Sequence, residues 1–197
     1  MPYLFALIAF IPSFAWLLFF LKEVKDQLGN FGISQRDFLC VLLFAAAEEI
    51  LKFALVYMVI RRSKYFDEPV DAMIYMIAGA LGFALVENVA ILLQTTILLQ
   101  AVGVITMRFV GATLLHALCS GLVGYYWAKS VQRSPTPLMR IKNFKLVIFG
   151  LISASVLHAI FNYLIISMGD VLIYPTIFLI IISLLIFWDF ERIKSNR

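Results

Sequence analysis

Residues 38–60 read FLCVLLFAAAEEILKFALVYMVI, apolar from end to end except for Glu48, Glu49 and Lys52. At about 1.5 Å per helical residue such a run covers the roughly 30 Å hydrocarbon core of a bilayer. Glu48 would then lie about 15 Å below one face. Hydrocarbon does not solvate charge: an ionised side chain at mid-bilayer costs about 2.5–3.5 kcal/mol on insertion scales. The three ionisable groups must therefore face inward, toward one another or toward groups on other helices.

The rest of the chain fits that reading. Of 197 residues, 63% are hydrophobic and 14% are charged, too little polar surface for a soluble domain of this length. Spanning runs fall at about 3–21, 38–60, 72–93, 104–128, 146–168 and 171–190, which predicts an all-α, polytopic transmembrane bundle of about six helices. The segment from Pro2 to Leu21 has no basic leader and no small-residue cleavage site, so it is expected to be a retained helix. Residues 1–197 are read as a single integral membrane domain, with Ser134-Pro135-Thr136-Pro137 as a plain turn connector.

Lys and Arg are concentrated after the second, fourth and sixth runs (Arg61, Arg62 and Lys64; Lys129, Arg133, Arg140, Lys142 and Lys145; Arg192, Lys194 and Arg197), while the connector after the first run carries Lys22, Lys25 and Arg36. The positive-inside rule places the first three groups, and both termini, in the cytoplasm. The net charge of +4 is dispersed between apolar runs, which excludes a nucleic-acid surface. Cys40 and Cys119 both sit in apolar runs and read as small core residues, not as a disulfide or a zinc knuckle. Small residues four apart, Ala78 with Gly82, Ala117 with Gly121 and Ser120 with Gly124, are expected to let helices approach closely.

Other polar residues also fall inside the expected spans: Glu87, Asn88, Arg108, His116, His158 and Asn162. Both histidines of the chain are among them. Counting helix rise puts Glu48, Glu87, His116 and His158 in the middle to outer part of the membrane, on four different runs. A single shared site is the economical arrangement. Within it, Lys52 is one turn from Glu48 and Glu49 and can neutralise one of them, leaving the other carboxylate available. His158 and Asn162 share a face at i,i+4, as a ligand or oxyanion-binding pair would. Arg108 lies near a span end, from which it can snorkel to the headgroups.

Taken in order, Glu48-Glu49-Ile50-Leu51-Lys52 (EExxK), Phe83 to Glu87-Asn88 (FxxxEN), His116-Ala117-Leu118 and His158 to Asn162 (HxxxN) resemble motifs of the PrsW family of intramembrane proteases. So does the stretch from Tyr65-Phe66-Asp67-Glu68 through Asp71 and Tyr75 to Leu81-Gly82-Phe83-Ala84. The family is distantly similar to type II CAAX prenyl endopeptidases, whose motifs read EExxxR, FxxxH and HxxxN. Here the basic residue comes one position earlier and Glu87 replaces that histidine, which argues against prenyl-protein substrates.

The resemblance implies an intramembrane endopeptidase acting on a membrane-tethered protein, as in the cleavage of anti-sigma factors in the bacterial cell membrane. It leads to the expectation that Glu48 acts as general base on a water, with Glu49 paired to Lys52. His116, His158 and Asn162 would bind a metal or stabilise the oxyanion, and Glu87 would orient water or complete a ligand set with the two histidines. Lys52, Asn88 and Arg108 would support. A divalent metal such as zinc and a metal-free glutamate–histidine mechanism are both consistent with these residues. Two non-proteolytic readings use the same polar groups, a membrane scaffold held by them or a proton-coupled transporter. The absence of inverted repeats speaks against the transporter.

Overall fold

The computed structural model describes residues 37–94, 110–133, 139–168 and 172–195, with the isolated positions Phe19 and Glu23. These residues form five helices: α1 (Phe38–Ile60), α2 (Pro69–Gln94), α3 (Ala112–Ser130), α4 (Phe144–Met168) and α5 (Ile173–Ser195). The all-helical class expected from the hydropathy pattern holds, with one small addition. The connector between α3 and α4 carries two three-residue strands, β1 (Val131–Arg133) and β2 (Met139–Ile141), paired antiparallel with Val131 opposite Ile141. The sequence reading had only a turn there.

By length and composition α2, α4 and α5 are each able to cross a membrane. Helix α1 is as long, but it carries Glu48, Glu49 and Lys52 in its middle. Helix α3, at 19 residues, holds His116, Ser120 and two glycines. The boundaries differ from expectation where local chemistry decides them. Helix α2 starts at Pro69, earlier than 72, because Pro fits the first helical position and Asp71 caps the end. The Asp71 carboxylate accepts from the backbone N–H groups of Glu68 (2.9 Å) and Asp67 (3.2 Å), which have no partner inside the helix. Pro175 lies in the first turn of α5, where its missing N–H is harmless, and the helix runs on past 190 to Ser195. Apart from Phe19, the expected span at 3–21 lies outside the described residues, as do residues 104–109 of the fourth.

Helix α3 is the hub: it packs on α2, α4 and α5 and also meets α1, while α1 leans chiefly on α4. Glycine makes the closest approach possible. A Cβ on Gly124 would fall 2.6 Å from the Met73 Cα, so the backbones of α2 and α3 are nearly in contact there. On the α1–α2 side, a Cβ on Gly79 would meet a Val56 methyl at 2.5 Å. Near the α1–α2 connector, Phe66 tucks against Trp127 (ring centroids 5.0 Å apart), which also meets Phe53 and Tyr57.

A polar cluster is buried within an otherwise apolar core, and much of the exterior is apolar as well. Glu49, Lys52, His116, Ser120 and His158 are buried, while Leu43, Ile50, Ile152, Ile181, Leu184 and Phe187 are exposed. Apolar side chains outward and charge inward is the pattern that lipid imposes.

Candidate active site

The inward-facing polar groups meet in one place. Glu48, Glu49 and Lys52 come from the middle of α1, Phe83 and Glu87 from the second half of α2, His116 and Ser120 from α3, and His158 from α4. The helical repeat explains each pairing on one face: Phe83 with Glu87 and His116 with Ser120 are one turn apart, as Glu48 is from Lys52. Glu48 lies ten residues from the start of α1, Glu87 seven from the end of α2 and His158 ten from the end of α4. At 1.5 Å per residue the cluster is about 10–15 Å from the helix ends opposite the basic connectors.

Its centre is the carboxylate of Glu49, fully buried. Oε1 accepts from Lys52 Nζ and from His158 Nδ1 at 2.9 Å, and Oε2 faces the Ser120 hydroxyl at 3.5 Å. Lys52, equally buried, also reaches His116 Nδ1 at 3.1 Å and stands 5.0 Å from the centre of the Phe83 ring. A desolvated ammonium and a desolvated carboxylate are tolerable only as such a pair with further hydrogen bonds. The two imidazoles lie edge to face, 5.0 Å between centroids. Outside them stand two partly accessible carboxylates: Glu87 Oε2 is 2.9 Å from His116 Nε2, and Glu48 Oε2 is 3.7 Å from His158 Nε2.

Six of the residues singled out from sequence are thus brought together: Glu48, Glu49, Lys52, Glu87, His116 and His158. Asn88 instead bonds Thr113 across the α2–α3 seam at 3.1 Å. Asn162 is half-buried one turn beyond His158 and has no part in the hydrogen bonds just described. Arg108 lies outside the described residues. Cys40 and Cys119 are free, buried core residues. Ser120 was missed as a polar contributor. The signal was its place one turn after His116, overlooked because it also fitted a small-residue packing pair.

Glu48, His116 and His158 each offer a ligand atom, and the three atoms lie within 4.8 Å of one another. Two imidazoles and one carboxylate are the donor set of catalytic zinc sites that leave a position open for water. His158 meets a further requirement: its Nδ1–H is held by a buried carboxylate, the partner that fixes a metal-binding imidazole. The residues therefore fit a divalent metal of the zinc class. The geometry groups Glu48, where sequence reasoning had put Glu87, with the two histidines, and ties Glu87 to His116.

Comparison with known proteins agrees in kind. A protein named Protease PrsW from Geobacillus kaustophilus is 34% identical over 86 residues, covering 44% of this chain and 36% of the relative. Proteins of the same name from Oceanobacillus iheyensis (24% identity, 77% of this chain, 66% of the relative) and Bacillus subtilis (25%, 76% and 62%) match over longer stretches. The chain thus spans between 36% and 66% of the length of these relatives. No solved structure matches it. The family model described as PrsW family intramembrane metalloprotease matches residues 2–188, nearly the whole chain, and the chain belongs to that family.

Proposed function

We propose that this chain is an intramembrane endopeptidase that hydrolyses a peptide bond in a membrane-tethered protein, with a divalent metal held by Glu48, His116 and His158. The observation that carries the proposal is the convergence of those three ligand atoms within 4.8 Å in the interior of a lipid-facing bundle. Such an ion would polarise the scissile carbonyl and make a bound water acidic enough to attack at neutral pH.

The protein's own groups divide the remaining work. Glu49 and Lys52 hold His158 and His116 in place from behind. Glu87, outside the ligand group and partly accessible, accepts the attacking water's proton and returns it to the leaving amine as the C–N bond breaks. This assigns the base role to Glu87 and makes Glu48 a ligand. Glu49, Lys52, His116 and His158 are buried, and among the described residues of the cluster Glu48 and Glu87 are the ones that water reaches.

Resemblance to the PrsW family, whose members are associated with the cleavage of anti-sigma factors, suggests a substrate of that class, in a bacterial cell membrane. The basic residues concentrated after the second, fourth and sixth runs support six spans with both termini cytoplasmic, and the active centre in the half of the bilayer remote from them.

Purified protein reconstituted with a candidate membrane-tethered substrate tests the proposal. Glu87→Gln should abolish cleavage yet bind metal as the parent does. Glu48→Gln and His158→Ala should lose both metal and cleavage. Cleavage retained by Glu48→Gln or by His158→Ala sinks the mechanism. Metal-free protein with full activity removes the metal and returns the base role to Glu48.

A further inference from the structure

Lys52 has hydrogens to donate and, as an ammonium, no lone pair with which to accept. Its Nζ contacts two polar groups, the Glu49 carboxylate and His116 Nδ1, and its remaining side looks onto the Phe83 ring. Beside the Glu49 carboxylate Lys52 acts as a donor, and in its contact with His116 the Nδ1 is the acceptor. A neutral imidazole carries a single hydrogen, and for His116 it must therefore be on Nε2. That nitrogen faces an acceptor, Glu87 Oε2, at 2.9 Å.

The same reasoning gives the reverse result for the other ring. His158 Nδ1 faces Glu49 Oε1, a carboxylate oxygen that only accepts, so Nδ1 carries the hydrogen. In a neutral ring Nε2 then carries the lone pair, and it lies 3.7 Å from Glu48 Oε2.

We infer that the buried Glu49–Lys52 pair fixes the two histidines in opposite tautomers, with Lys52 as the residue that positions His116. The two rings are consequently not interchangeable. His158 and Glu48 form a half of the site that offers lone pairs, and His116 with Glu87 forms a half built on a donated hydrogen. Under the metal reading of the preceding section, on which this last step rests, a metal meets a ready nitrogen at His158. At His116 the hydrogen sits on Nε2, so a metal finds a lone pair there only once that hydrogen has been displaced. His158 is thus the first imidazole to bind.

The chain has two histidines, so a 15N-histidine spectrum of the protein in liposomes contains two rings, assigned by His116→Gln and His158→Gln. In metal-free protein the inference expects one ring protonated at Nδ1 (His158) and one at Nε2 (His116). Both rings in the same tautomer, or the assignments exchanged, overturn it. Lys52→Met should leave His158 as it was and scatter His116 between tautomers, whereas an unaltered His116 signal removes Lys52 from the role. Should Lys52→Met fail to fold, the parent spectrum still decides. Zinc titrated into the parent should shift His158 before His116, and the opposite order counts against the inference. If zinc shifts neither ring while the tautomers are as stated, the metal reading fails and the tautomer assignment stands.

Discussion

At the scale of single residues, the site depends on groups that would be intolerable alone. Glu49 neutralises Lys52, steadies His158 and faces Ser120, all without solvent. Removing one member of a buried pair leaves an uncompensated charge, which typically costs about 3–5 kcal/mol. Glu49→Ala should therefore lower the unfolding temperature markedly in detergent, and Glu49→Ala combined with Lys52→Met should recover much of that loss without recovering cleavage. If the single and double variants melt alike, the pair does not bear on stability. Ser120→Ala, losing a contact of 3.5 Å, should cost under about 1 kcal/mol in the same melts. Six site residues were legible in the sequence because ionisable groups in apolar runs are conspicuous. Their division of labour was not. Whether Glu48 or Glu87 joins the histidines depends on how four helices are rotated, which the spacing along any one of them leaves open.

At the scale of elements, close helix contacts and caps hold the cluster in register. A methyl on Gly124 meets the backbone of Met73, which has no rotamer to yield, so Gly124→Ala should force α2 and α3 apart. Overpacking of this kind costs about 1–3 kcal/mol, and because Glu87 and His116 sit on those two helices, activity should fall along with stability. Gly121→Ala should be milder, since its Cβ would meet the Ile186 methyl at 3.2 Å and a side chain can adjust. Equal melting temperatures for the two variants would contradict that ranking. Asp71→Ala should cost about 1 kcal/mol by stripping the cap of α2, with little effect on the distant site. The small-residue spacing pointed correctly to Gly121 and Gly124 as places of close contact. Gly79, which no four-residue pair singled out, proves equally tight, because what matters is the facing Val56 side chain and not the spacing.

At the scale of the whole molecule, the apolar exterior and the basic residues around the ends of α1, α3 and α5 lead to the proposed orientation of the bundle. Exposed Lys64 and Lys142 stand in two of the basic connectors, and exposed Tyr174 begins α5 at the other end. Single cysteines introduced at these positions should react with a membrane-impermeant maleimide from the cytoplasmic side for the first two and from the opposite side for the third. Cys40 and Cys119, being buried, should remain silent in the parent. Labelling of Lys64→Cys and Tyr174→Cys from the same side would refute the proposed orientation. Helical class and the apolar exterior could be read from composition, since lipid permits few alternatives. The hairpin of β1 and β2 could not, because three-residue strands carry no periodicity to read.

The position of Lys52 one turn after Glu49 bears on how the protein is made. Helix α1 leaves the ribosome well before α3 and α4, which supply His116 and His158. His116 follows the end of α1 by 56 residues and His158 by 98, so both come later than α1 in order of synthesis. The lysine and glutamate travel together on one segment and offset each other without either histidine. A nascent α1 bearing Lys52→Ala would present two bare carboxylates to the lateral opening and risk being passed through, so biogenesis and chemistry impose the same requirement on one side chain.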